Sequence, residues 1–112
     1  AHDTDCTVMV MTTKCKLVQV SMVATTLEAT GAATTVMPEK CTGTTAMGSG
    51  NDLLGAEVNI KTGLTANTVS NPALTATAAD LLFAVGDRLI LDWTNIATEG
   101  IGLITFEFEP IV

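Results

Sequence analysis

The chain has 112 residues, enough for one domain with a small core, and is 47% apolar but only 15% charged. Its formal net charge is −7 with five Lys and Arg in total, so it offers no clustered cations for phosphate, and nucleic-acid binding is not expected. No stretch approaches the roughly 18 apolar residues of a membrane-spanning helix, and one His with no Tyr leaves little for catalysis.

Residues 1–7, beginning AHDTDC, are polar and acidic, unlike a secretory signal. They read as a flexible or contact-making lead, a mature end from which an initiator Met has been removed. From Thr7 to Thr26 the chain is rich in Val, Met and Thr. Val8 and Val10 share one parity; Val18, Val20, Met22 and Ala24 form a second run, with Gln19 and Ser21 between. This predicts one or two strands, broken near Thr12 to Lys14. A helix over Lys16 to Glu28 is the competing reading, opposed by the β-branched content. A turn around Gly31 follows. Thr34 to Cys41 reads as a strand whose Pro38 cannot donate to a ladder, which predicts an edge position or a bulge.

Thr42 to Asp52 is a long loop with glycines at 43, 48 and 50. Leu53 to Thr62 reads as a strand closed by Gly63, and a short strand near Asn67 to Ser70 precedes the Asn71-Pro72 turn. Leu74 to Ala78 is strand-like, and Ala79 to Ala84 suits one short helical turn. Val85-Gly86-Asp87 makes a tight turn into a strong strand, Arg88 to Trp93. After a loop, Thr94 to Gly100, Gly102 to Pro110 alternates Ile104, Phe106 and Phe108 with Thr105, Glu107 and Glu109, the period of a half-buried strand. Seven or eight short strands predict a single all-β domain over residues 1–112, an antiparallel β-sandwich or jelly-roll-like fold.

Candidate chemistry is sparse. Gly48-Ser49-Gly50 lacks the following Lys and helix of a phosphate loop. His2 with Asp3 and Asp5 lies in a terminal lead too loose for a metal. Asp87 suits a side-chain cap on the Gly86 turn, with a salt bridge to Arg88 as another option, and mid-strand Asp92 faces away from Leu91 and Trp93. Three cysteines, Cys6, Cys15 and Cys41, without CxxC spacing fit neither a disulfide framework nor a zinc site and read as reduced, buried thiols, though one bridge remains open. No cofactor or metal is called for, and no positioned base or nucleophile points to an enzyme. Trp93 reads either as core or as an interface anchor. Met9, Met11, Met37 and Met47, with Met22, either fill core gaps or coat an adaptable contact face. The sparsely charged, Thr-rich surface suits contact with other protein.

The order EKCTGT (Glu39 to Thr44), NDLLGAEV (Asn51 to Val58), NTVSNPALTAT, FAVGDRLILDW and GLITFEFEP resembles small β-sandwich virion proteins of tailed bacteriophages, of the capsid decoration or cement type. The resemblance implies a protein on the outer capsid surface that binds the major capsid protein and itself, as a homotrimer, and bridges capsomers. It implies manufacture in the host cytoplasm. A tail, neck or fibre-associated module is the alternative in the same particle, and a carbohydrate-binding module the alternative of another class, for which Trp93 would have to stand exposed in a shallow groove.

Overall fold

A computed structural model describes residues 5–28, 34–94 and 100–111. The turn expected at Gly31, the His2–Asp3 pair and most of the Thr94–Gly100 loop lie outside them. The described residues form eight strands in two antiparallel sheets, the all-β sandwich that the alternation predicts. The strands are β1 (Cys6–Val10), β2 (Cys15–Thr26), β3 (Thr35–Cys41), β4 (Asn51–Asp52), β5 (Val58–Asn59), β6 (Leu82–Phe83), β7 (Arg88–Thr94) and β8 (Ile101–Pro110). A 3₁₀ turn, Ala78–Leu81, leads into β6. The first sheet runs β1-β7-β3-β4, with β5 also on β3; the second runs β6-β2-β8.

β2 is a strand, not a helix, and the chain breaks between Val10 and Cys15 as expected. Its parity, however, changes inside the strand. Leu17 pairs with Phe108 and Gln19 with Glu107, so Val18 is the extra residue of a β-bulge. Before the bulge the buried positions are Cys15 and Leu17; after it they are Val20, Met22 and Ala24. Val18 therefore does not share the buried face of Val20. The partner strand β8 keeps its period of two, and Ile104, Phe106 and Phe108 lie over Met22, Val20 and Leu17.

The core forms between the sheets. Leu17, Val20 and Met22 meet Val36, Leu53 and Leu89, and Phe83 sets its ring edge-on to Phe108 at 5.5 Å. Each fully buried aliphatic side chain contributes about 1.5–3 kcal/mol by leaving water. Lys40 also points into this space. It pairs with Leu89 and is only 9% exposed, yet its Nζ donates to the carbonyls of Ala79 (3.1 Å) and Leu82 (3.0 Å) and lies 5.9 Å from the Phe83 ring centroid. A cation thereby ties the first sheet to the 3₁₀ turn and β6.

Three expectations need correction. β3 is an interior strand, flanked by β7 on one side and by β4 and β5 on the other. Pro38 fits because its carbonyl accepts from Leu53 N–H, so its missing donor faces the gap between the two short strands. The expected strand Leu53–Thr62 shrinks to Val58–Asn59. Leu53 and Leu54 are buried in succession, and the Asn59 side chain accepts from the N–H groups of Lys61 (2.9 Å) and Thr62 (3.2 Å), an Asx turn that ends the strand. The segments near Ser70 and Leu74 supply single bridges, to Met22 and Leu54, not strands. The Val85–Asp87 turn forms as predicted: Gly86 has φ +91°, and the Asp87 carboxylate accepts from Ala84 N–H at 2.8 Å.

Candidate interaction surface

The first sheet has two faces. Val36, Pro38, Lys40, Leu89, Leu91 and Trp93 share the core face, because antiparallel partners point the same way. Met37, Glu39, Cys41, Arg88, Ile90 and Asp92 share the outer face. Ile90 and Cys41 are nonetheless fully buried, so something covers that face. The cover is the loop 42–50. Arg88 donates from Nη2 to the carbonyls of Gly43 (3.3 Å) and Thr45 (2.6 Å), and Gly50 N–H donates to Glu39 Oε1 (3.2 Å). The loop lies so close that a Cβ at Gly50 would fall 2.6 Å from the Lys40 carbonyl oxygen and 2.7 Å from Cys41 Sγ. Gly50 thus serves close packing of the loop against β3.

Beyond the loop the outer face opens into a cleft of about 430 Å³ bordered by Met37, Glu39, Asp52, Glu57 and Asp92. Glu39 is 3% exposed and stands opposite Asp52 across β4. Burial pushes its carboxyl up to about 7, and the Asp92 and Asp52 charges and a shared hydrogen bond with Asp92 push the same way, against the Gly50 bond. Asp5 sits nearby, its Oδ1 accepting from Trp93 N–H at 3.0 Å. This shortens the expected flexible lead: Cys6 and Thr7 already belong to β1, and Asp5 is tied to β7. Among the described residues, no group of three or more His, Cys, Asp or Glu is arranged to hold a metal.

Among the described residues β1, β4, β5, β6 and β8 have no outer neighbour, and the longest of these edge strands are β1 and β8. Every residue of β1 is exposed, Val8, Met9 and Val10 among them. β1 follows β7 through a bulge at Val8, which breaks the ladder between Thr7 and Met9. Along β8, Ile101 and Leu103 are each 64% exposed, while Glu107, Glu109 and Pro110 stand at the other half. Charges and proline usually discourage edge-to-edge pairing. The half of β8 from Ile101 to Thr105 has neither.

The five residues proposed from sequence separate clearly. Met9 (42% exposed) and Met47 (43%) lie on the surface, and Met47 Sδ accepts from Thr7 Oγ1 at 3.7 Å, linking the loop to β1. Met11 is buried in the core, with Cys15 Sγ 3.7 Å from its sulfur, and Met37 is half-buried. Trp93 is half-buried against the core and walls a cavity of about 230 Å³ between the sheets, with Met22, Ile60, Leu64 and Ile104. Its ring is not a flat exposed platform. Glu28, 2% exposed, borders the same cavity and accepts from Gly100 N–H at 2.9 Å.

All three thiols are free; Cys15 and Cys41 are buried as expected, whereas Cys6 is exposed. Burial raises both buried thiols, with Asp87 adding to the rise at Cys15; at Cys41 Arg88 opposes it and Glu39 reinforces it. The exposed edge residues Val8, Val10, Ile101 and Leu103 and the buried Glu39 escaped the reading from sequence. Period two puts Glu39 on one face of β3 with Met37 and Cys41, but nothing in the sequence marks that face as covered.

Among the described residues no helix is long and apolar enough to cross a membrane. No protein-family model matches this chain, and neither a curated protein nor a solved structure matches it significantly.

Proposed function

We propose that this chain is a structural protein that works by docking, and that it belongs to a tailed-phage virion as a head decoration protein. The observation that supports docking is the pair of bare strand edges: Val8, Met9 and Val10 on β1, and Ile101 and Leu103 on β8, exposed on a chain with few charges. Unpaired backbone donors and acceptors beside apolar side chains favour strand addition or close side-chain contact with another protein. The assignment to a virion rests on the resemblance carried by Glu39 to Pro110. In that setting the partners are the major capsid protein and sister copies as a homotrimer, and many weak contacts become strong together. The acidic, sparsely cationic surface does not compete for packaged DNA.

The test uses capsids that lack the protein. Purified chain should bind them saturably, at hundreds of copies per particle, and Val10→Lys or Leu103→Lys should weaken binding while leaving the fold intact. A few copies per virion would place the chain in the tail or neck. A chain that stays monomeric and ignores such capsids overturns the proposal.

A further inference from the structure

The uncharged half of β8 runs beside an apolar space. Gly100 and the first four residues of the strand, Ile101, Gly102, Leu103 and Ile104, all border the cavity of about 230 Å³ that Trp93 walls. Ile60, Leu64, Trp93 and Ile104 are each half-buried at its sides, so the cavity opens to solvent. Glu28 at its rim accepts from Gly100 N–H. An apolar cavity of about 150 Å³ stays dry and binds a benzene ring; this one has room for a larger side chain.

The edge beside it is held in place. Gly102 packs so closely on β2 that a Cβ there would collide with the Val23 carbonyl oxygen, and Thr25 Oγ1 donates to the Ile101 carbonyl at 3.2 Å. A fixed edge with a pocket beside it suits an extended peptide: the backbone supplies hydrogen bonds and the pocket selects a side chain. Every ladder in both sheets is antiparallel. In an added antiparallel strand, the residue opposite Gly102 shares the core face, since Gly102 pairs with buried Ala24, and it meets no side chain on β8. Five positions earlier in that strand (107 − 102), a residue stands opposite exposed Glu107. On β2, Lys16 lies opposite Glu109, but Gln19 lies opposite Glu107 and turns its amide to Ser21 and Asn71.

We infer that the cavity beside β8 is the anchor pocket of a strand-addition site. It takes one large aromatic or aliphatic side chain of an extended segment that pairs antiparallel with residues 101–107, and that segment carries Lys or Arg five residues before the anchor. The segment belongs to a different protein. Neither β1 nor β8 contains a Lys or Arg, so the long edges of a second copy bring no cation to Glu107. The inference rests on the docking role proposed above and deepens it: β8 receives the other protein, and sister copies meet elsewhere.

The test uses the wild-type protein and the synthetic peptide Lys-Val-Thr-Val-Thr-Phe-Thr, labelled with fluorescein at its N-terminus and read by anisotropy. Exchange of its Phe for Ala should weaken binding about tenfold, and exchange of its Lys for Glu about threefold at low salt. With 4-bromophenylalanine as the anchor, the bromine should quench the emission of Trp93, the single Trp, by contact. Alternate residues of a strand turn their backbone N–H groups to opposite edges. N-methylation of the Thr residues, or of the Val and Phe residues, should therefore abolish binding in one peptide and spare the other. Equal binding by the Phe and Ala peptides or by the Lys and Glu peptides, absence of quenching, or the same result for both N-methylated peptides would overturn the inference. So would quenching by bromobenzene with no binding of the peptide, the mark of a small-molecule cavity, or oligomers that the peptide takes apart, the mark of a sister copy on the edge. A chain that binds capsids but not the peptide keeps its docking role and loses this site; one that binds the peptide but not capsids keeps this site and loses the virion.

Discussion

Replacing Lys40 by Met tests whether the buried cation holds the sheets together. The substitution keeps most of the aliphatic stem, so it isolates the ammonium group. Nζ donates to two carbonyls, Ala79 at 3.1 Å and Leu82 at 3.0 Å, from a residue 9% exposed. A hydrogen bond to a charged group contributes about 1.5–3 kcal/mol. Two such bonds set an upper bound near 6 kcal/mol, but two effects reduce it. Ala79 O keeps a second donor, the N–H of Leu82. The ammonium also costs free energy to desolvate, a cost that disappears with it. We expect a net loss of about 2 kcal/mol. For a chain of 112 residues, an unfolding entropy of about 2.1 cal/mol/K per residue converts that loss to a fall in Tm of roughly 8 °C. Urea unfolding followed by Trp93 fluorescence, with its slope unchanged, gives the free energy directly. A Lys40→Met protein within about 0.5 kcal/mol of the wild type would refute the reasoning and make the Lys40 contacts energetically neutral.

Other outcomes follow from the same geometry. Leu17→Ala, at a fully buried core position, should cost about 2–5 kcal/mol in the same denaturation experiment. Gly50→Ala should cost about 1–3 kcal/mol and speed iodoacetamide alkylation of the buried Cys41, because the new methyl meets the Lys40 carbonyl oxygen at 2.6 Å. The carboxyl of Glu39 rises from 4.5 to about 7 on folding, so the folded state holds the extra proton and stability falls as pH climbs from about 4.5 through about 7. The shift sets a ceiling of about 3 kcal/mol, which water in the open cleft lowers to about 1–2 kcal/mol. Denaturation at pH 5 and pH 8 measures the drop, and Glu39→Gln should remove its share.

Much of the architecture was legible because apolar residues that alternate along a strand report burial on one face. β8 has that pattern from Ile104 to Glu109, Leu89, Leu91 and Trp93 mark one face of β7 although Ile90 between them is buried on the other, and the break between β1 and β2 falls at polar Thr12 to Lys14. Within β2 the same rule misleads at Val18, because a bulge adds one residue and parity says nothing of bulges. The region after Asp52 failed for another reason: Leu53 and Leu54 both bury, one through a bond to Pro38 and one through a bridge to Leu74. Tertiary contacts, not local alternation, decide such positions. Charged residues hid most completely. Nothing in the sequence marks Glu28, Glu39 and Lys40 as buried, because their partners are distant in sequence or on the backbone. The methionines divide by position: Met11 is in the core, whereas Met9 and Met47 lie on the surface.

The ladder between β2 and β8 has a consequence for how the chain reaches this shape. Cys15 meets Pro110, 95 positions later (110 − 15), and Thr26 meets Ile101, 75 later (101 − 26). The other neighbour, β6, is also remote, with Cys15 opposite Phe83. No local hairpin can seed this sheet, so closing it requires a large loop-closure entropy before any contact rewards it, and folding belongs to the slow, millisecond-to-second class of non-local β proteins. On the ribosome, β2 emerges long before either companion and waits with Leu17, Val20 and Met22 uncovered, a sticky ribbon that a chaperone would recognise and that crowded sister chains would find first.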